Sequence, residues 1–397
     1  MKENYDICVV GGSGHVGLPL SIALADKGFR VIIYDKNSSA NLMINNGKMP
    51  FLEEGCDSLL QSNINIRLWA KNDIKVISQS HIIIIIIGTP VDEHLNPRYG
   101  VFNDLIVEIL PYLNNEQIIV LRSTVYPGTT EYLNTKLKNY YPDISVCFCP
   151  ERIAEGRAME ELFTLPQIIS GFEDRGINEV KFIFSKLTKD IITVSPLEAE
   201  LVKLFTNAWR YIQFATANQF YMFSREYKAD FYNIYDAMTF NYPRTSSFPK
   251  PGFAAGPCLF KDTMQISAFT NNKFFLGHSA MLINEGLPNF IVSQLKAMFD
   301  LRQMTVGILG MAFKAESDDI RESLSYKLKK ILEFEVKKVI CSDSYVKDPC
   351  FISAEELITS SDIIIIGVPH NTYKNLDYKD RLVYDVWNFT MAYNKIY

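Results

Sequence analysis

The chain has 397 residues, of which 48% are hydrophobic and 21% charged, and a formal net charge of −5. This composition is that of a globular protein with enough chain for two or three domains and a sizeable core. The net charge argues against general nucleic-acid affinity, and the longest aliphatic run, Ile82 to Ile87, is far too short to cross a bilayer. With no apolar signal region at the N-terminus, we expect a cytoplasmic protein without a membrane partner.

A strand, a glycine turn, a helix and a second strand are predicted at the start of the chain. The apolar run Asp6–Val10 leads into a turn with the pattern G-x-G-x-x-G, helical spacing follows over Leu18–Lys27, and Arg30–Asp35 reads as the next strand. This context predicts a dinucleotide site. The turn residues expected to contact the dinucleotide are Gly12, Gly14, His15, Val16 and Gly17.

Each part of this unit has a predicted role. Gly12 would make the tight turn, Gly14 would let the pyrophosphate approach closely, and Gly17 would let the helix pack on the strand. Asp35, 23 residues after Gly12, would accept hydrogen bonds from the adenosine ribose hydroxyls and repel a 2′-phosphate. The sequence therefore predicts NAD rather than NADP.

Two further apolar runs, Ser80–Gly88 and Gln117–Ser123, are typical of parallel strands buried on both faces. Thr89 and Thr124 follow them directly. Ligands bind beyond the carboxyl ends of such strands, so we expect both threonines to contact the cofactor; the alternative is a simple capping role.

A long helix is predicted over Glu198–Tyr227, about 45 Å at 1.5 Å per residue. Lys203 and Asn207 are four residues apart and therefore share one of its faces. Taken alone, Lys203 reads as a solvated surface residue. Beside a cysteine site, the pair becomes a candidate for stabilising an oxyanion.

The strongest chemical signal is Cys258 in a loop rich in glycine and proline. Exposed cysteines are uncommon in reducing cytosol unless they are used, and a nearby Lys261 favours the thiolate. Asp262, four residues on, could act as a general base. The other six cysteines follow no metal-ligand spacing, so we expect buried core thiols and no metal site.

The end of the chain repeats the pattern of its beginning. Thr305–Gly310, Glu322–Glu335 and Val339–Cys341 read as strand, helix and strand, without a full G-x-G-x-x-G pattern. This second unit is expected to bind another nucleotide, such as that of a sugar donor. The predicted fold is α/β: two Rossmann-like doubly wound parallel sheets, over 1–195 and 299–397, joined by a helical dimerisation domain over 196–298.

In their order along the chain, these segments resemble the UDP-glucose/GDP-mannose dehydrogenase family of nucleotide-sugar 6-dehydrogenases. The resemblance covers nearly the whole chain. The segments that carry it are Gly88-Thr89-Pro90, Ser123-Thr124-Val125, Pro150-Glu151-Arg152, Lys203 with Asn207, Cys258–Asp262 and Lys314–Arg321, after the glycine turn. Members oxidise the sugar C6 alcohol twice with NAD⁺ to a uronic acid.

The resemblance implies roles for these residues. Asp262, with Lys203, would take the hydroxyl proton, and Cys258 would carry a thiohemiacetal and then a thioester. Lys203 and Asn207 would hold the oxyanion, and Thr124, Glu151 and Asp262 would orient the hydrolytic water. Glu155 and Arg321 would contact the cofactor, at its nicotinamide ribose and pyrophosphate. Further residues expected to bind substrate are Glu151, Arg152, Lys203, Asn207, Arg244 from the dimer partner, Phe253, Gly256, Phe313 and Lys314.

Two features of the segment 150–156 bear on the identity of the sugar. Pro150-Glu151-Arg152 resembles the members that act on N-acetylhexosamines, whereas Glu155-Gly156 resembles the glucose group. UDP-N-acetylmannosamine or UDP-N-acetylglucosamine is expected first and UDP-glucose second, with surface polysaccharide synthesis as the purpose. Two alternatives are a two-electron dehydrogenase of the β-hydroxyacid type, which would need neither Cys258 nor a second nucleotide domain, and a non-catalytic nucleotide-sugar sensor.

Overall fold

A computed structural model describes residues 4–88, 99–254, 256 and 258–396. By its internal contacts the chain divides into two compact units, Met1–Phe205 and Thr206–Tyr397, with the division inside one long helix. The predicted division into three domains stays a prediction. Thr89, expected to contact the cofactor, lies outside the described residues.

Unit 1 contains a mixed sheet with helices on both faces. Its strands are β1 (Tyr5–Val10), β2 (Val31–Tyr34), β3 (Leu68–Lys71), β4 (Ser80–Ile85), β5 (Ile118–Leu121), β6 (Ser145–Phe148), β7 (Gln167–Gly171) and β8 (Ile191–Thr193). Its helices are α1 (Gly17–Asp26), α2 (Ser38–Asn45), α3 (Cys56–Asn63), α4 (Tyr99–Ile109), α5 (Thr129–Lys138), α6 (Ala158–Thr164), α7 (Asp174–Phe184) and the first part of α8 (Pro196–Glu226).

The strand order in this sheet is β3-β2-β1-β4-β5-β6-β7-β8, and only the β6–β7 pair is antiparallel in the described part. The first six strands thus have the order of a dinucleotide-binding fold. Successive residues of β1 enter opposite apolar clusters, Ile7 and Val9 on one face and Cys8 and Val10 on the other. Burial on both faces explains why these strands read as continuous aliphatic runs.

Unit 2 contains the rest of α8, five further helices and a second parallel sheet. The helices are α9 (Phe231–Thr239), α10 (Leu259–Phe269), α11 (Phe275–Met298), α12 (Leu324–Leu332) and α13 (Ala354–Ser360). The strands are β9 (Thr305–Leu309), β10 (Lys338–Ser342), β11 (Ile363–Ile366) and β12 (Leu382–Tyr384), in the order β10-β9-β11-β12. Short 3-10 turns complete the two units at Ile74–Gln79, Leu110–Tyr112, Leu301–Gln303 and Asn371–Tyr373.

The helices α8 and α11 share one apolar core with the second sheet. Tyr221 of α8 and Leu287 and Ile291 of α11 belong to the same apolar cluster as Val306 and Ile308 of β9. This shared packing explains why the helices after residue 205 join the C-terminal sheet in a single compact unit. None of the helices in the described ranges is both long enough and apolar enough to span a bilayer.

Candidate active site

The turn between β1 and α1 has the geometry that a dinucleotide pyrophosphate requires. A Cβ at Gly17 would lie 2.6 Å from Gly12 Cα, whereas a Cβ at Gly14 would meet no atom within 4 Å. Gly17 therefore permits the close packing predicted for it, and the open space at Gly14 fits an approaching phosphate. Gly11 has a left-handed φ of +75°, and at Gly12 a Cβ would lie 2.9 Å from the Val9 carbonyl oxygen. Both positions of the tight turn thus favour glycine.

Asp35 follows β2 beside this turn. Its Oδ2 accepts a hydrogen bond from the Ser13 backbone N–H at 3.1 Å, and its Oδ1 accepts one from Asn37 N–H at 2.9 Å. These two contacts fix the Asp35 side chain at the C-terminal ends of the strands. In this fold, an acidic residue at that place binds the adenosine ribose. His15 packs its ring on Phe51, with the ring centroids 4.0 Å apart.

A buried ion pair connects the ends of β5 and β6. Glu151 Oε2 accepts from Nε and Nη2 of Arg122, at 2.8 and 2.5 Å, and Oε1 accepts from the backbone N–H groups of Arg152 and Ile153. Arg122 is 1% exposed and also donates to Gln167 Oε1 at 3.1 Å. Both oxygens of Glu151 are thus used within the chain, and its predicted action on water stays a prediction.

A second buried carboxylate, which lies between α2 and α3, holds the loop after β6. Glu53, 2% exposed, accepts from the backbone N–H groups of Gly156 and Ala158 at 2.8 and 2.7 Å and so holds the segment beside Glu155. Arg152 donates to the Pro166 carbonyl, and burial lowers the pKa of its guanidinium. The sequence reading missed Glu53 because its partners are more than 100 residues away in the chain.

The loop that carries Thr124 is fixed to α8 by Glu200. The Glu200 carboxylate accepts from Gly128 N–H at 2.6 Å and from the N–H and hydroxyl of Thr130 at 2.8 and 2.5 Å. Burial raises the pKa of this carboxyl group, while these hydrogen bonds lower it. Glu200 precedes Lys203 by one helical turn, so the same anchor supports the helix that carries the predicted lysine.

Cys258 lies at the start of α10 in unit 2 and is exposed. The positive end of the helix dipole favours negative charge at this position. The five cysteines at positions 8, 56, 147, 149 and 341 are buried, and burial raises the pKa of each thiol. Cys350 is exposed, so the expectation of a buried thiol was wrong there: it lies in an irregular segment after β10.

Asp262 lies on the first turns of α10, and its side chain is only 1% exposed. Its Oδ2 accepts from Asn207 Nδ2 at 2.6 Å, and its Oδ1 lies 3.7 Å from Lys261 Nζ without accepting a hydrogen bond within the described residues. Burial of a carboxylate is costly unless its oxygens are satisfied. An acceptor left open in this way suits a water molecule or a substrate hydroxyl.

Two glycines in the loop that precedes Cys258, here called the nucleophile loop, lie close to other segments of unit 2. Asn218 accepts from Gly252 N–H at 2.8 Å and donates to Gly252 O at 3.0 Å. Further along, Gly256 has φ +105°, and a Cβ there would lie 2.6 Å from the Phe313 ring. Phe253 is 7% exposed and packs in the apolar core of unit 2; its contact with substrate stays a prediction.

Comparison with known protein families covers most of the chain. Residues 5–188 match the NAD-binding domain of the UDP-glucose/GDP-mannose dehydrogenase family, residues 197–285 match its central domain, and residues 307–392 match its UDP-binding domain. The chain belongs to the UDP-glucose/GDP-mannose dehydrogenase family. The predicted membership is confirmed, and the protein is an NAD-dependent nucleotide-sugar dehydrogenase.

Individual relatives match along most of their length. UDP-N-acetyl-D-mannosamine dehydrogenase of Methanocaldococcus jannaschii is 31% identical, over 94% of this chain and 88% of that protein. The structure of the Pyrococcus horikoshii UDP-D-ManNAc dehydrogenase has a TM-score of 0.90 and 26% identity, with 98% of each chain covered. A UDP-glucose dehydrogenase structure from Pyrobaculum islandicum also gives 0.90, at 23% identity and 99% and 96% coverage. The predicted α/β fold with two Rossmann-like sheets is confirmed.

The UDP-binding domain of this dehydrogenase has its own turn after β9. The turn amides of Met311 and Ala312 donate to Asp343 Oδ2 at 2.6 and 3.0 Å. Asp343 follows β10 as Asp35 follows β2, and it takes two turn amides where Asp35 takes one, that of Ser13. The match of this part of the chain to a UDP-binding domain agrees with the predicted difference in ligand.

Two residues between β9 and α12 are predicted to bind phosphate, Lys314 that of UDP and Arg321 that of NAD. Lys314 Nζ lies 5.6 Å from the Phe313 ring centroid. The guanidinium of Arg321 is 54% exposed and pairs with Asp319, with Nε 2.8 Å and Nη2 2.5 Å from Asp319 Oδ2. Arg244, expected to reach a partner subunit, lies on an exposed loop and donates to the Tyr242 hydroxyl at 2.9 Å.

Proposed function

We propose that this protein oxidises the C6 alcohol of a UDP-N-acetylhexosamine to the uronic acid, with Cys258 as the acyl carrier. UDP-N-acetylmannosamine and UDP-N-acetylglucosamine are the first candidates. The relatives at 28% and 31% identity are named UDP-N-acetyl-D-mannosamine dehydrogenases, and Pro150-Glu151-Arg152 has the form expected of that group. Glu155-Gly156 keeps UDP-glucose as the second candidate.

The observation that carries the proposal is the arrangement of groups at the start of α10. An exposed thiol at Cys258 lies four residues before a buried carboxylate, Asp262, whose Oδ1 is open and whose Oδ2 is held by Asn207. A nucleophile beside a general base is the combination that covalent oxidation of an aldehyde requires.

In the first round, Asp262 with Lys203 takes the proton of the C6 hydroxyl as a hydride leaves carbon, which gives the aldehyde. NAD⁺, when bound, supplies the hydride acceptor in both rounds. In the second round, the Cys258 thiolate adds to the aldehyde carbon. Lys203 and the remaining N–H of the Asn207 amide stabilise the resulting oxyanion. Loss of a second hydride leaves a thioester.

Hydrolysis completes the reaction. Thr124, Glu151 and Asp262 orient a water molecule, which adds to the thioester carbon. The carbon–sulfur bond then breaks, the Cys258 thiolate leaves, and the acid is released. One water is consumed and two hydrides are lost for each sugar, so two NAD⁺ are reduced.

A homodimer is part of the proposal. Trp209 and Phe223 lie on α8 in unit 2 with 60% and 49% of their surfaces exposed, and large apolar side chains on one helix are typical of a subunit interface. Arg244 would then serve the partner's site. A cytoplasmic location and a place in surface polysaccharide synthesis stay predictions.

The test is the amount of NADH formed per limiting sugar, with UDP-N-acetylmannosamine, UDP-N-acetylglucosamine and UDP-glucose in parallel. Two NADH from one of them would support the thioester route and name the sugar. One NADH would instead support the two-electron alternative, which is disfavoured by the presence of a UDP-binding domain.

A second test changes the cysteines. Cys258→Ser should release almost no uronate, whereas Cys350→Ser, which alters the other exposed cysteine, should be fully active. Full turnover by Cys258→Ser would remove the cysteine from the mechanism.

A further inference from the structure

The segment between β9 and α12 contains Phe313, Lys314 and Arg321 but has no regular structure of its own. One of its residues, Glu316, has φ +56°, a left-handed conformation that costs free energy for any residue with a Cβ. Such a conformation persists only when the surroundings impose it. The contacts around Glu316 therefore hold the backbone two residues after Lys314.

One end of the segment is held by Asp343. In addition to the amides of Met311 and Ala312 on Oδ2, its Oδ1 accepts from the backbone N–H groups of Tyr345 and Val346, at 2.8 and 2.9 Å. This carboxylate side chain is fully buried. Its position is accordingly fixed by four backbone donors.

The other point of attachment is His370, a fully buried imidazole. Its Nδ1 lies 3.0 Å from the backbone nitrogen of Glu316, whose N–H donates to it. Because Nδ1 accepts, the ring proton resides on Nε2, which lies 3.2 Å from Asp343 Oδ2. One imidazole thus connects the two flanks of Lys314: residues 311–312 through Asp343, and residue 316 directly.

The Glu316 side chain completes the arrangement. Its Oε2 accepts from the Tyr345 hydroxyl at 2.5 Å, and its Oε1 accepts from Asn371 N–H, directly after His370, at 2.7 Å. Three separate chain segments therefore meet at Glu316. A lysine side chain is flexible, so a fixed backbone on both of its sides restricts where its ammonium group can lie.

We propose that His370 is a positioning residue that fixes Lys314 for binding the diphosphate of the UDP-sugar. This inference rests on the proposed function, since it takes Lys314 as a phosphate ligand. His370 itself touches neither substrate nor cofactor; it acts through the backbone on both sides of the lysine. Misplacement of a charged group by about 1 Å is enough to weaken its interaction with phosphate strongly.

The test measures binding of UDP alone by calorimetry, together with steady-state kinetics. His370→Gln keeps a donor toward Asp343 and loses the acceptor for Glu316 N–H, while His370→Asn does the reverse. Both should weaken UDP binding and raise KM for the UDP-sugar by about tenfold or more. At saturating sugar, kcat should stay near the wild-type value, and the Kd for NAD⁺ should not change.

Tyr221→Phe is the matched control, because it removes a buried hydroxyl contact with Tyr384 in the same unit without touching the segment. It should lower thermal stability and leave UDP binding unchanged. Tyr345→Phe, which removes a contact of a half-buried side chain, should weaken UDP binding even if the His370 variants do not fold. If the His370 variants fold and bind UDP as tightly as the wild type does, the inference is overturned. If they do not fold, wild-type UDP affinity in Tyr345→Phe overturns it. Failure of the wild-type enzyme to bind UDP would instead overturn the proposed function.

Discussion

Arg122 and Glu151 form a buried ion pair, in which the arginine Nη2 and Nε lie 2.5 and 2.8 Å from one glutamate oxygen. The two residues follow neighbouring parallel strands, β5 and β6. The pair therefore links the two strand ends that support the predicted cofactor and water contacts at Thr124 and Glu151.

Removal of one partner should leave a buried, uncompensated charge. Arg122→Met is expected to lower the free energy of unfolding by about 3 to 5 kcal/mol, as measured by urea denaturation. Arg157→Met is the control, because Arg157 pairs with Glu160 on the surface, where both side chains are about 60% exposed. A similar loss of stability in the two variants would contradict the interpretation.

The pH dependence of stability should report Asp343. Burial by itself raises the pKa of this carboxyl group, but hydrogen bonds from His370 and from the amides of Val346 and Met311 lower it to about 2. A carboxyl group with a lowered pKa in the folded state stabilises the protein above its unfolded pKa of about 3.9 and loses this effect as the pH falls through its folded value.

Asp343→Asn should consequently cost about 2 kcal/mol at pH 7, measured as unfolding free energy, and progressively less between pH 4 and pH 2. Asp318→Asn, at an exposed position in the same unit, provides the control. A difference between wild type and Asp343→Asn that does not shrink on acidification would refute the assignment.

Cofactor preference should depend on Asp35. Asp35→Ala removes the carboxylate that would bind the adenosine ribose and repel a 2′-phosphate, so kcat/KM for NAD⁺ should fall and that for NADP⁺ should rise. We expect the ratio of the two to change by about tenfold or more. Asp26→Ala, at the end of α1, should leave this ratio unaltered. An unchanged ratio in Asp35→Ala would show that other residues bind the adenosine ribose and distinguish NAD⁺ from NADP⁺.

The space at Gly256 should be essential. Gly256→Ala would bring a Cβ to 2.6 Å from the Phe313 ring at a residue with φ +105°. Either the nucleophile loop or the ring must move, so kcat/KM for the UDP-sugar should fall by about tenfold or more. Gly286→Ala, where a Cβ on α11 meets nothing within 4 Å, should retain activity and gain about 0.5 to 1 kcal/mol of stability. Normal kinetics of Gly256→Ala would be incompatible with this steric argument.

The proposed dimer depends on the exposed face of α8. Trp209→Lys should shift the protein toward monomers in sedimentation velocity, because it places a charge in the proposed apolar interface. Tyr393→Lys, at a position that is 98% exposed in the same unit, should sediment as the wild type does. Identical sedimentation of the two variants would exclude Trp209 from the interface.

The pattern of residues close together in the sequence was sufficient to predict much of the fold. The glycine spacing, Asp35 and the aliphatic strands predicted the first nucleotide fold, since these features depend on residues close in sequence. The requirement for glycine at Gly11 was missed, because a Cβ there would lie 2.1 Å from the Ile86 carbonyl oxygen. That carbonyl belongs to a distant segment.

The contacts that hold the site were missed for a related reason. Glu53, Glu200 and His370 each act on backbone groups more than 50 residues away, and no local pattern distinguishes them from ordinary polar residues. Arg122 could have been found. Arg122 follows the buried strand β5, and Glu151 follows β6. Parallel pairing of the two strands brings their carboxyl ends, and so these two side chains, together.

The internally satisfied turn in the UDP-binding domain bears on the order of events in catalysis. The matched domains of the described chain include one for NAD, whose glycine turn begins at Gly11, and one for UDP, where Asp343 takes the amides of Met311 and Ala312. In the proposed route, two oxidations would use this one NAD site in succession. NADH would leave and NAD⁺ would enter between them, while the half-oxidised sugar stays in place. A reactive aldehyde survives such an exchange best when it is retained by the enzyme, and a covalent bond to Cys258 would provide that retention.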